Sequence, residues 1–403
     1  MKILLGGIPL GCDNIGDEAI LSCVIGLFRH NFPSAELVVA TGEQAKTGKK
    51  FGVKTIPLYG FEPKYPAKDF GRAVKKFDIY VWAGATGLSD YPAMAMTLLE
   101  QAQKNNVRTI IWNVGMNDQL NPYFFKLSAP KLKLAKLVQY LTGIRLAEHW
   151  EQHIENRMRR RIGETVAKCD LVVLRDEDSL GELRRSGLFP EALGGTDTAI
   201  LQQAVADSAM PWPSEELRQK FASFAKRVAI CISAQSPISD LARFGAWLDK
   251  EIEQNESLNF VLIPMNPKTD YQLMQKLQQN MKHKERTLLT NFVEPEEVQN
   301  LVGHCNVVIS SRLHLIILGL NKLVPGIGIA RGSKISTFLN KFKLPTCGST
   351  AEIDYAGLSE YMHHYLNIGA EFAKEAAEVR GRMLIDLQNA EDKLQDAVKR
   401  IKR

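Results

Sequence analysis

The chain lacks any run of the roughly 18 uncharged apolar residues that a membrane-spanning helix needs. Its first residues, Met1–Leu5, lead straight into a strand-like stretch, without the longer apolar region and small-residue cleavage site of a secretory signal. These absences predict a cytoplasmic protein and leave open a position at the inner face of the membrane. Cysteine is sparse and unpatterned. Cys12, Cys23, Cys169, Cys231, Cys305 and Cys347 form no Cys-x-x-Cys pair, so neither a zinc knuckle nor a thioredoxin-type redox site is expected. Cys169, Cys231 and Cys305 lie in or beside apolar runs and read as free core thiols. The histidines outside one cluster described below show no metal-ligand spacing, so no metal is expected. A net charge of +6, without an aromatic-basic stacking motif, argues against nucleic acid as a partner. Missing too are the dinucleotide fingerprint and the Walker lysine.

What is present is a globular composition, 45% hydrophobic and 24% charged over 403 residues, enough for two domains. Short apolar runs alternate with amphipathic stretches. Lys2–Leu5, Leu37–Ala40, Ile79–Trp82, Thr109–Val114, Leu171–Leu174 and Ala192–Leu193 read as buried strands. Helical patterns between them, such as Ala19–His30 and Pro92–Asn105, imply a parallel sheet covered on both faces. Pro211 and Pro213 around Trp212 mark a linker. The alternation then restarts with strands at Val228–Ser233, Phe260–Pro264, Val307–Ile309 and, last, Gly326–Ile329. The expected organisation is therefore α/β, with Rossmann-like domains over 1–206 and 215–369 and a charged helix over 370–403. A helical insertion of about 119–168 interrupts the first domain.

The chemistry-bearing residues gather at the expected carboxyl ends of these strands, the edge where open parallel sheets bind ligands. The first loop, Gly6–Ile20, contains Asn14 and Asp17 at the start of a helix. These two residues suit either hydroxyl binding or a helix cap. A second small-residue turn holds Gly84, Thr86 and Asp90, and a third is Gly115–Asp118. Arg175 follows the strand Leu171–Leu174, beside Asp176 and Ser179. Its planar fork suits a carboxylate or phosphate, while Asp176 and Asp178 are alternative internal partners.

The sharpest cluster is Ser310-Ser311-Arg312-Leu313-His314. Arginine in a first helical turn is electrostatically unfavourable unless an anion or a carboxylate sits there. His314 suits general acid–base work, or else a satisfied core position. Arg331 and Lys334 add two cations after the following strand, as a shared anion pocket or as solvated charges.

In this order, these pieces resemble the polysaccharide pyruvyl transferase family. The matching residues are Asn14-Ile15-Gly16-Asp17-Glu18-Ala19-Ile20, Gly84–Gly87, Arg175-Asp176 with Ser179, Asp197 with Ala199, and Pro264 with Asp270. Ser311-Arg312-Leu313-His314 with Lys334 complete the set. The resemblance covers about residues 1–345. It implies a fold similar to the GT-B glycosyltransferases with an active cleft between two domains, and no metal or organic cofactor. The implied reaction transfers a pyruvyl group from phosphoenolpyruvate to a sugar or lipid-linked saccharide of a cell-envelope or exopolysaccharide precursor. His314 and Arg312 are then the catalytic residues. Arg312, Arg175, Lys334, Arg331 and Ser311 hold the donor, and Asn14, Asp17, Gly84, Thr86 and Asp90 the acceptor. Arg331 stands where the family often has an aromatic residue. The competing expectations are a glycosyltransferase with a nucleotide-sugar donor and a non-catalytic carbohydrate-binding relative.

One segment fits neither reading of the site. Between about Pro122 and Arg161, Leu134, Leu137, Val138 and Leu141 alternate at helical spacing with Lys131, Lys133 and Lys136. The pattern suits a peripheral membrane contact, or leucines packed on the first domain beneath solvated lysines.

Overall fold

The computed structural model describes residues 1–117, 119–143, 145–187 and 192–401. Asp118 of the third small-residue turn and the last two residues of the charged helix expected over 370–403 lie outside the described residues.

Thirteen strands among the described residues form two parallel sheets. The first runs β1 (Lys2–Gly6), β2 (Glu36–Thr41), β3 (Lys54–Pro57), β4 (Ile79–Ala83), β5 (Arg108–Val114), β6 (Leu171–Leu174) and β7 (Ala192–Gly194), in the spatial order β3-β2-β1-β4-β5-β6-β7. The second comprises β8 (Lys226–Cys231), β9 (Leu258–Leu262), β10 (Thr287–Leu289), β11 (Val307–Ser310), β12 (Gly326–Ala330) and β13 (Thr346–Ser349), ordered β10-β9-β8-β11-β12-β13. Both sheets thus reverse direction once, between β1 and β4 and between β8 and β11. Those switch points are where doubly wound sheets open a crevice at their carboxyl ends. Central strands such as β4, with all five residues buried, are apolar throughout because helices cover both faces. The strands that the sequence left out, β3, β10 and β13, are short and lie at or next to sheet edges. β3 is half-buried with a lysine at its start, and β13 contains a glycine and ends on a serine.

The chain divides into two compact units. The first contains Met1–Leu10, Ile25–Asp197 and Asp386–Arg403, and the second Gly11–Val24 and Thr198–Ile385. The first loop from Gly11 onward and the start of helix Ile15–Asn31 therefore belong with the second sheet. Two helices, Ala129–Thr142 and Leu146–Val166, fill the long segment between β5 and β6. The final helix runs from Tyr355 to Ile401 with a break at Ile368, whose φ of −107° and ψ of 18° depart from helical values. Its end lies within the first unit, where Asn31 donates to Glu391 at 2.8 Å and accepts from Gln395 at 2.6 Å. Cys12 is exposed and the other five thiols are buried. Burial pushes the Cys169 and Cys305 thiols up to about 12, which suits inert core residues.

Candidate functional site

In the second unit the switch point is built around the end of β11. Ser311 is 1% exposed and ties this strand to β8: its hydroxyl accepts from the Ser233 N–H at 2.9 Å, and its own N–H reaches the Cys231 carbonyl at 2.9 Å. Ser310 accepts the Arg312 N–H at 2.9 Å, turning the chain into helix Leu313–Asn321. That helix is buried around most of its circumference, as its sequence Leu-His-Leu-Ile-Ile-Leu-Gly-Leu-Asn requires. Its start is therefore rigidly placed.

Arg312 is 8% exposed and meets Asp270 fork to fork, with Nε to Oδ2 at 2.9 Å and Nη2 to Oδ1 at 2.8 Å. Asp270 is fully buried and also accepts the Ala234 and Asn266 N–H groups, at 2.8 and 3.1 Å. A charge pair out of water is tolerated only when its remaining hydrogen-bonding capacity is met, and these two backbone bonds help meet it. The carboxylate engages only one side of the guanidinium. The Nη1 edge faces Gln235, at 3.2 Å from its Oε1, and Arg331 reaches the same oxygen at 3.4 Å. Asp270 appeared in the sequence only as a matching letter; its role as the anchor of Arg312 was not legible, since 42 residues separate them. Gln235 carried no signal at all.

The first loop meets this cluster. The Ile15 N–H donates to the Met265 carbonyl at 3.0 Å, docking the helix start against the end of β9. Asn14 accepts the Gly16 N–H at 3.2 Å and donates to Asp17 Oδ2 at 2.7 Å. Gly16 is needed for close approach: a Cβ there would lie 2.3 Å from His314 Nδ1. The half-buried imidazole is thus packed on bare backbone. Asp17 is 6% exposed. Burial raises its pKa above the ordinary 3.8, against the opposing pull of His314, the Asn14 hydrogen bond, Arg312 and Lys334. Lys334 occupies the first turn of helix Ser333–Lys341, and Arg331 is exposed just before it. The second unit therefore brings together Asn14, Asp17, Ser311, Arg312, His314, Arg331 and Lys334.

Gly84, Thr86, Asp90 and Arg175 lie in the first unit. The Gly84 N–H donates to the Trp112 carbonyl at 2.9 Å, holding the turn to the end of β5. Thr86 donates to Asp90 Oδ2 at 2.5 Å, and Asp90 Oδ1 accepts from Asn117 at 2.5 Å, so the second and third turns form one hydrogen-bonded network. Arg175 is 4% exposed and lies between Asp176, at 3.2 Å, and Asp197, at 3.3 Å. Its guanidinium rests on Gly115, where a Cβ would come within 2.6 Å of Nη2. Burial opposes the arginine charge most strongly, yet Asp197 and Asp176 outweigh it and raise the pKa. Asp176 also accepts the Ser179 N–H at 2.8 Å, capping helix Glu177–Arg184. Among the described residues, no group of three His, Cys, Asp or Glu side chains is arranged to hold a metal ion.

Solved structures with similar folds include Staphylococcus aureus MnaA with UDP (TM-score 0.61, 11% identity, 95% of each chain covered). A Neisseria meningitidis UDP-GlcNAc 2-epimerase bound to UDP-GlcNAc matches with a TM-score of 0.59 and 11% identity, covering 99% of this chain and 100% of that one. Anabaena HepE with UDP-glucose gives 0.58 and 12%, covering 98% and 100%. At such identities the likeness concerns the fold, which is the GT-B-like α/β class with two parallel sheets. Comparison with curated protein sequences gives no significant match. The sequence model of one transferase family, however, matches continuously from the first-loop asparagine to the helix after β12, over residues 14–333. That span takes in both the Asn14–Asp17 loop and the Arg312–His314 turn that pack together around Gly16, and the chain belongs to the polysaccharide pyruvyl transferase family.

Proposed function

We propose that the protein transfers the pyruvyl group of phosphoenolpyruvate to two hydroxyls of one sugar, closing a cyclic ketal and releasing phosphate. The observation that carries this is the packing of His314 against Gly16, beside buried Asp17, within a cluster that also contains Arg312, Arg331 and Lys334. The donor bears a carboxylate and a phosphate, so its site needs fixed cations and a proton source. Protonation of the methylene carbon makes a methyl group while one sugar hydroxyl adds to the neighbouring carbon. The second hydroxyl then displaces phosphate. The two hydroxyl protons balance the one gained by carbon and the one leaving with phosphate.

In this scheme His314 moves the proton, with buried Asp17 beside it. Lys334, Arg331 and the Nη1 edge of Arg312 receive the donor anions, Asp270 keeps that edge in place, and Ser311 fixes the loop. Asn14 positions Asp17. The turn of Gly84, Thr86 and Asp90 is assigned to acceptor hydroxyls on the first unit, and Arg175, held by two carboxylates, to the scaffold of that unit. The acceptor is a cell-envelope or exopolysaccharide precursor, and the reaction takes place in the cytoplasm.

The test is incubation with phosphoenolpyruvate and a panel of saccharides, following phosphate release and the new ketal methyl signal by NMR. Acceptor-dependent phosphate release with a ketal product is expected. A second reading draws on fold relatives solved with UDP and UDP-glucose: a nucleotide-sugar donor. A thermal midpoint raised by a nucleotide sugar and unmoved by phosphoenolpyruvate would select it, because a ligand of the native state stabilises that state.

A further inference from the structure

From Gln119 to Ala147 the chain contains no aspartate or glutamate but five cations, Lys126, Lys131, Lys133, Lys136 and Arg145. The helix Ala129–Thr142 lies in this stretch and packs on helix Leu146–Val166 through one narrow face. On that face Ala135 is buried, with Leu132 and Val138 half-buried to either side. Away from that contact the helix carries Leu134 at 56% exposure, Leu137 at 55% and Leu141 at 70%. Their spacing of three and four residues makes them one stripe. Tyr140, 86% exposed, and Lys133 and Lys136 border it, and Tyr123, 79% exposed, lies just ahead of the helix. Single exposed leucines are ordinary on a protein surface; three in line with aromatic and lysine borders are not.

We propose that this face docks the protein onto an anionic lipid bilayer, with the leucine stripe among the acyl chains and the lysines at the headgroups. Long lysine side chains can keep their charge at the headgroup level while their stems cover apolar surface, and tyrosine suits the same interfacial layer. Charge complementarity selects this occupant over a second copy of the chain. A two-fold pairing would set the lysines that border the stripe against one another. The contact is peripheral, since among the described residues no helix is long and apolar enough to cross a membrane. The surface lies within the first unit, and its test does not depend on which donor the enzyme uses.

The experiment sediments the full chain with vesicles of phosphatidylcholine alone or mixed with phosphatidylglycerol. It is done at about 0.1 M and about 1 M salt, where the screening length falls from about 10 Å to about 3 Å. Binding at least tenfold stronger to the anionic vesicles, and largely lost at high salt, is expected. The combined substitution Lys126→Glu, Lys133→Glu and Lys136→Glu should weaken it by on the order of 100-fold, since each basic residue near such a surface contributes about fivefold. Lys131 is left in place because its ammonium packs 5.4 Å from the Trp150 ring. Leu137→Gln with Leu141→Gln should weaken binding without removing its salt dependence; both residues are exposed, so circular dichroism should be unchanged. Negligible binding to either vesicle, or equal binding to both, overturns the proposal. So does a concentration-dependent dimer that the leucine substitutions dissolve while vesicles are ignored, which would give the face to a second copy.

Discussion

Arg175 and Arg312 invite comparison because each lies at the carboxyl end of a parallel strand, β6 and β11, and each is almost fully buried against carboxylate. Their surroundings differ in charge balance. Arg175 has two carboxylates, Asp176 and Asp197, one on each side, and lies flat on Gly115. Its cluster is satisfied internally with negative charge to spare. Arg312 has one carboxylate, which leaves the Nη1 edge facing a neutral amide. With Arg312 itself, the cations Arg331 and Lys334 make three against the two acids Asp270 and Asp17, and Asp17 is pushed toward its neutral form. An arginine after a strand therefore says little by itself; the number of acids folded against it decides whether the site favours an anion.

The largest effect should come from the group with no counterpart beside Arg175. His314→Ala is expected to lower kcat by roughly 10²–10⁴ if the imidazole transfers a proton, with a smaller change in donor affinity. Steady-state kinetics normalised to folded protein check this. Normal turnover by the folded fraction would make His314 a packing residue and remove the main distinction between the two clusters.

The arginines themselves come next. Arg312→Lys keeps the charge but loses the fork, so donor kcat/KM should fall by about 1.5–3 kcal/mol, the scale of a charge-assisted hydrogen bond, while the fold persists. Arg175→Lys should cost stability and spare turnover. It should lower the unfolding free energy by about 1–3 kcal/mol and leave kcat/KM of the folded enzyme close to wild type. Urea unfolding and kinetics on both variants read the two quantities separately. Equal kinetic losses would return Arg175 to the donor site.

Much of this difference was illegible in the sequence. The central strands were readable because their apolar runs are continuous, and the carboxyl-end turns because glycine and small polar residues follow each run. The edge strands β3, β10 and β13 were not, since they need less apolar character and draw their identity from a neighbour's hydrogen bonds. The motif Ser311-Arg312-Leu313-His314 could be singled out by its arginine at a helix start. Its meaning depended on Asp270, Gln235 and Asp17, which reach it from distant parts of the chain. Asp17 was assigned to the acceptor by its loop alone; the closeness of that loop to His314, fixed by the Gly16 contact, is a tertiary fact.

The smallest effect separates the two clusters by pH. Asp17 is buried and its pKa is raised chiefly by desolvation, while His314, Asn14, Arg312 and Lys334 pull it down. In the unfolded chain this carboxyl titrates near its ordinary 3.8. The folded protein therefore holds the proton more tightly, and the stability this gives is present in acid and lost as pH rises through the raised value. Asp17→Asn should remove that loss. The variant should be at least as stable as wild type at neutral pH, and its advantage should shrink toward pH 4. Asp176 shifts the other way: burial alone would raise its pKa, but Arg175 and the Ser179 hydrogen bonds hold it low. Its contribution is present at neutral pH and lost as pH falls through the lowered value, so Asp176→Asn should destabilise most at neutral pH. Urea midpoints for both variants across pH 4–8 decide the matter. An Asp17→Asn protein less stable than wild type at neutral pH would mean that Asp17 is ionised and paired, and the two clusters would then be alike in kind. If the stability result holds, a modest fall in kcat for Asp17→Asn would give the carboxyl a part in turnover rather than in the core alone.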